Sequence, residues 1–177
     1  TLNPEPVTTV EVSCTSQPAP LRLRRLTRLE WQHSVKQALN VDVTLEIPDD
    51  EGLGFSTVAE AQAASVSLAE KLLEAAERTT ASMNVGELSP CPLSDTCSPR
   101  FIAKLATALF RRPARDDELA RLNETWRRLR TTESEDMSAR LLTQVLLQSP
   151  AFLFRVESTD AGVVDDEAFA IRLAFAL

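Results

Sequence analysis

Apolar residues recur at helical spacing along most of the chain, between polar segments rich in proline, serine and acidic residues. Repeats of three and four residues indicate amphipathic helices that bury one face. The pattern predicts helices over about 27–39, 65–83, 98–112, 116–129 and 135–148, a short turn near 57–63, and a last helix from 165. We therefore expect an all-α fold, with about six helices in an irregular bundle.

Local signals mark where helices begin. Thr27 and Glu30 have the spacing of a capping box, in which each side chain accepts a hydrogen bond from the other residue's backbone amide. Ser98 is predicted to cap a helix that carries Pro99 in its first turn, where a missing amide is harmless. Residues 149–150 are Ser-Pro, and they predict a short helical restart.

The apolar positions also predict which face of each helix is buried. The residues expected to point inward are Leu29, Trp31, Val35 and Leu39; Leu68, Leu72, Leu73 and Ala76; Phe101, Ile102, Leu105, Leu109 and Phe110; Leu119, Leu122, Trp126 and Leu129; and Met137, Leu141, Leu142 and Val145.

Breaks in the pattern divide the chain into four parts. Residues 1–22 are rich in proline and are predicted to be an extended arm or linker. Residues 23–86 form an N-terminal helical part, and residues 87–157 hold a cysteine loop and a helical core. Residues 158–177 are expected to start a following helix or domain and to be incomplete, because the apolar run lacks a stop signal.

The three cysteines bear on the cellular compartment. Cys91 and Cys97 bracket five residues, a short loop that a disulfide could close. A free thiol pair and a metal site are the alternatives, although five intervening residues are not the usual zinc spacing. A disulfide would indicate an oxidising, extracytoplasmic location, periplasmic, outer-membrane-associated or secreted. Cys14 would then be free or paired with a segment outside this sequence.

Charge and hydropathy argue against nucleic acid as a partner and against a membrane-spanning segment. The net charge is −7 and the pI is near 4.8, which disfavours binding to nucleic acid because phosphates attract basic surfaces. No apolar run approaches the roughly 20 residues of a membrane span. Arginine clusters over residues 22–28 and 111–130 are interpreted as solvated helix faces paired with nearby acids.

Candidate chemistry is sparse, and we predict no catalytic, cofactor-binding or metal-binding residues. The best residues for an enzyme are Asp49, Asp50 and Glu51 together with His33. The acidic run lacks the Asp-x-Asp-x-Asp-Gly spacing of a calcium loop, and His33 is interpreted as an ordinary helix histidine. An enzyme would then need a missing C-terminal domain or a partner chain to complete its active site, and we keep this as the alternative function.

Four patches resemble one large bacterial family, in the family's own order. Residues 23–31 resemble its "RRLTRxEY" opening, residues 101–118 its "RxFxxRAFRRPLTxxE" segment, and residues 146–155 its "LxSPxFLYR" segment. Residues 164–177 resemble the start of its following domain, "LDxYELASRLSYFLW". The family consists of secreted planctomycete and myxobacterial proteins built from consecutive domains of unknown function, the planctomycete cytochrome c-associated type.

The resemblance implies a non-catalytic extracytoplasmic scaffold that binds other domains or subunits of one assembly, including a c-type cytochrome. No Cys-x-x-Cys-His occurs, so any haem would belong to a partner. Three positions depart from the family pattern, since Trp31 and Phe154 stand where tyrosines are usual and Arg115 where a capping threonine is usual. Loss of a capping hydroxyl costs on the order of 1 kcal/mol.

Overall fold

Helices account for most of residues 23–47 and 65–156, which are the residues that the computed structural model describes. In chain order the elements are β1 (Leu23–Arg25), α1 (Arg28–Leu39), α2 (Val66–Ser82), α3 (Val85–Leu88), α4 (Ser98–Phe110), α5 (Asp116–Leu129), α6 (Glu135–Leu147), α7 (Pro150–Leu153) and β2 (Phe154–Val156). The all-α prediction is confirmed. The predictions for the proline-rich arm, Cys14, residues 49–64 and the last helix lie outside the described residues.

Most helix starts follow their local signals. The Glu30 amide donates to Thr27 Oγ1 at 3.3 Å and the Thr27 amide donates to Glu30 Oε2 at 2.8 Å, which confirms the capping box of α1. The Ser98 prediction is wrong, because this residue is the first of α4 and its hydroxyl donates to a carbonyl of the preceding turn. The cap residue is Cys97, whose amide donates to Ser94 Oγ at 3.2 Å.

The two short strands were not predicted from the pattern. β1 and β2 pair antiparallel, with Arg24 opposite Arg155, and the Leu26 amide extends the ladder by donating to the Leu153 carbonyl at 2.8 Å. Three-residue strands are too short for an alternation of apolar and polar residues to be visible. The sheet nevertheless joins the beginning of the described chain to its end.

Helix α4 lies at the centre of the core. Its residues Phe101, Ile102 and Leu109 are fully buried, and it packs against α1, α5, α6 and α7. Trp31 meets the Phe152 ring edge-on with 6.2 Å between centroids, and Phe101 lies 6.3 Å from Trp126 in a tilted arrangement. The buried residues form one continuous cluster that includes side chains from α1, α2 and the later helices.

Some predicted buried faces were wrong. Leu29 is 58% exposed, and Leu73, Met137 and Val145 are each more than 40% exposed. Leu142 is buried as predicted, and the other inward residues of α6 are Ser138, Ala139, Thr143, Leu146 and Leu147. Polar residues can lie inside because a helical threonine satisfies its hydroxyl within its own helix, as Thr143 Oγ1 does by donating to the Ala139 carbonyl at 2.7 Å. No described helix combines the length and hydrophobicity that crossing a bilayer requires.

Candidate functional site

A buried ion network surrounds Glu30 at the start of α1. Arg24 donates two hydrogen bonds to the Glu30 carboxylate, at 2.8 Å and 2.7 Å, and Arg155 donates a third at 2.7 Å. The Thr27 amide supplies the fourth contact. We call these four residues the Glu30 network. Because Arg155 lies in β2, the network connects the first described helix to the last strand.

The environment of the Glu30 network keeps the carboxylate ionised. Burial raises the pKa of Glu30, but hydrogen bonds from Arg24 and the Thr27 amide, with the positive charges of Arg24 and Arg155, outweigh it and hold the pKa below its ordinary value. Arg24 is 3% exposed and Arg155 is 8% exposed, so water screens the pairs weakly. A carboxylate held in this way is suited to fixing structure and not to exchanging protons.

The interpretation of the arginine clusters as solvated faces is therefore wrong in part. Arg24 and Arg25 are buried because strand β1 pairs with β2, a long-range contact that local charge patterns do not reveal. The interpretation is confirmed on α5, where exposed Arg121 pairs with Asp117 and exposed Arg128 pairs with Glu124.

Arg111 lies beside the same network at the end of α4. It has a left-handed backbone, with φ of 59°, and its Nη2 donates to the Phe152 carbonyl at 2.9 Å. Its guanidinium also lies over the Phe152 ring, 5.5 Å from the centroid. Burial, followed by the positive charge of Arg155, lowers the pKa of Arg111 to about 10, so the group remains charged at neutral pH.

The arrangement at Glu30 occurs a second time at the start of α5. Arg112 donates two bonds to Glu118, at 2.8 Å and 2.7 Å, and the Arg115 amide donates to Glu118 Oε2 at 2.8 Å. In both places an arginine three residues before the cap holds the glutamate three residues after it, and we call this arrangement the arginine clamp. The hydrogen bonds from Arg112 are the main reason that the pKa of Glu118 falls to about 2.

The arginine clamp has a sequence signature of its own, which the pattern of cap residues does not reveal because the arginine precedes the cap. The glutamates follow their arginines by six residues, with the cap midway, at Arg24 and Glu30 and again at Arg112 and Glu118. Arg115 has no hydroxyl to accept an amide, and its guanidinium donates instead to Glu118 Oε1 at 3.1 Å.

The predicted disulfide between Cys91 and Cys97 is present, with 6.1 Å between the Cα atoms. The loop that it closes is fastened to α5, since Asp95 Oδ1 accepts from Trp126 Nε1 at 3.2 Å and from Arg130 Nε at 3.0 Å. The bonds from Arg130 and then Trp126 lower the pKa of Asp95. The disulfide therefore constrains the chain where it enters the central helix α4.

Of the residues considered for an enzyme, the structure describes His33 alone. His33 is exposed on α1, and Asp49, Asp50 and Glu51 lie outside the described residues. Among residues 23–47 and 65–156, no three side chains of His, Cys, Asp or Glu are grouped closely enough to hold a metal ion.

Comparison with known families divides the chain at the cysteine loop. Residues 24–84 match the family model described as PSD3, a protein of unknown function (DUF1587), and residues 97–157 match PSD5, a protein of unknown function (DUF1595). No curated protein and no solved structure matches the chain. Each matched region contains one arginine clamp. The chain therefore carries two consecutive domains of unknown function, of the type that the resemblance indicated.

Proposed function

We propose that the chain is a non-catalytic helical scaffold that binds other domains or subunits of a larger extracytoplasmic assembly. The Glu30 network carries this proposal, because Glu30 of the first matched region binds Arg155 of the second through a part-buried ion pair. Such an arrangement fixes the relative positions of the domains, which is what a scaffold requires. The disulfide between Cys91 and Cys97 agrees with an oxidising compartment.

The proposed partners include a c-type cytochrome, on the basis of the family resemblance. The haem would be carried by that partner, because this sequence contains no Cys-x-x-Cys-His attachment motif. The role of the chain would then be to hold a redox protein in place, and not to transfer electrons itself.

Light scattering after size exclusion tests the proposal. The oxidised chain is examined alone and mixed in equal amounts with a c-type cytochrome purified from the same organism, while absorbance near the haem Soret band is followed. We expect a mass above that of the monomer, either with the chain alone or with haem absorbance in the same peak. A cytochrome from an unrelated source is the control. A hydrophilic monomer under all three conditions would contradict the proposal.

A further inference from the structure

We infer that the two consecutive domains form a single cooperative folding unit, in which a surface of the second domain completes the core of the first. This surface, the α4–α6–β2 face, is made by α4, α6 and the β2 strand. The first domain, residues 24–84, packs on this face, and each of its main described elements depends on contacts with the second domain.

The N-terminal elements of the first domain are anchored on the second. Strand β1 has β2 as its partner, and helix α1 packs on α4. Trp31 is 1% exposed and meets the ring of Phe152, which belongs to the second domain. Glu30 binds Arg155 across the same boundary. Burial of an aromatic residue of this size is among the largest contributions that one side chain makes to stability.

Helix α2 depends on the second domain in the same way. It packs along α6, and its buried residues there are small ones that allow close approach, such as Ala75, Ala76 and Thr79. Gln144 Nε2 donates to Thr80 Oγ1 at 2.9 Å. Arg140 donates to two carbonyls in the last turn of α2, which no longer have partners within the helix. The second domain thus both covers α2 and caps it.

The dependence is unequal between the domains. In the described residues, the main helix contact of α1 is α4 and that of α2 is α6, whereas α4, α5 and α6 also pack on one another. The second domain further holds the disulfide. Short helices gain most of their stability from tertiary packing, so α1 and α2 are expected to lose their structure when the second domain unfolds. Unfolding of the first domain would in turn expose residues of α4 and α6 that are buried in the shared core, and this lowers the stability of the second domain.

The two tryptophans of the chain allow a direct test, since Trp31 lies in the first domain and Trp126 in the second. The full chain is labelled with 5-fluorotryptophan, and its two ¹⁹F resonances are followed during thermal unfolding. The Trp126→Phe variant assigns the resonances. We expect both to give the same midpoint, because one cooperative unit unfolds in one transition seen by every probe.

A substitution in α2 then tests the coupling between the domains. Leu72→Ala removes a side chain that is 6% exposed, and it should lower the midpoints of both resonances equally, on the order of 10 °C. The matched control is Leu73→Ala, one residue along and 41% exposed, which should leave both nearly unchanged. If the Leu72→Ala variant does not fold, Leu72→Met provides a smaller perturbation of the same site.

Separate transitions for Trp31 and Trp126 in the unmodified chain would overturn the inference. A shift of the Trp31 midpoint alone in the Leu72 variant would overturn it as well, because the domains would then be independent. Neither outcome would decide whether the chain associates with other proteins, because that association is measured separately, by mass.

Discussion

Replacing Glu118 with glutamine should lower the free energy of unfolding by about 2 kcal/mol at pH 7, with a loss that fades in acid. Glutamine has nearly the same shape and can still accept the Arg115 amide, but it cannot hold the Arg112 guanidinium with two charged bonds. The substitution therefore removes the charge of one arginine clamp and leaves the helix start otherwise intact.

The magnitude follows from the pKa of Glu118, which lies at about 2 compared with an ordinary value of 4.5. That difference corresponds to about 3 kcal/mol as an upper limit, and the remaining amide bond reduces the expected loss to about 2 kcal/mol. Because the pKa is lower in the folded state, the stabilisation is fully present above pH 4.5 and disappears as the pH falls toward 2. At pH 3 less than half of it should remain.

Urea unfolding followed by tryptophan fluorescence measures this difference at pH 7, 4.5 and 3. Urea is preferable to guanidinium chloride because it does not screen ion pairs. Asp117→Asn is the matched control, since this neighbouring side chain is 58% exposed and its pair with Arg121 should contribute less than about 1 kcal/mol. If Glu118→Gln were equally destabilising at pH 7 and pH 3, the charge of the carboxylate would not be the cause.

Three further predictions concern the disulfide, the face of α6 and the cap of α2. Replacing Cys91 and Cys97 with serine should lower the free energy of unfolding by about 2 kcal/mol. In the unmodified protein, intact mass should show the two cysteines alkylated only after reduction, and alkylation without reduction would contradict the disulfide. Leu142→Ala should cost about 2–5 kcal/mol in urea unfolding, whereas Val145→Ala, at a side chain that is 47% exposed, should cost less than about 1 kcal/mol; a loss above about 2 kcal/mol for Val145→Ala would contradict this assignment of the buried face. Arg140→Ala should cost about 1 kcal/mol and raise amide hydrogen exchange at the end of α2, and unchanged exchange there would refute its role as a cap.

Much of the fold could be predicted because its signals are local. A hydroxyl and a carboxylate three residues apart mark the start of α1, and the Ser-Pro pair at 149–150 marks the start of α7. The buried stripe of α4 follows directly from large apolar side chains, which have no alternative way to avoid water. The cysteine spacing likewise suggested the disulfide.

What could not be predicted depends on distant partners or on ambiguous side chains. Arg155 and Glu30 are 125 residues apart, and nothing in either segment indicates the other. The buried face of α6 was misassigned in part because Ser138 and Thr143 count as polar, although both are small enough to be buried where helices pack closely. Met137 was expected inside for the opposite reason, as an apolar residue that the structure leaves 42% exposed.

The arginine clamp also changes which substitutions a helix start can tolerate. Where the side chain of the cap residue accepts a hydrogen bond from an amide in the first helical turn, the cap position is restricted to a few short polar residues. At α5 residue 115 has no hydroxyl for the Glu118 amide, so what remains of the capping box is the bond from the cap amide to the Glu118 carboxylate, which Arg112 holds in place. Mutational constraint thus moves from the cap to the arginine–glutamate pair, whose members must change together. The cap position becomes free to evolve for solubility or surface charge, which is how an arginine can occupy it.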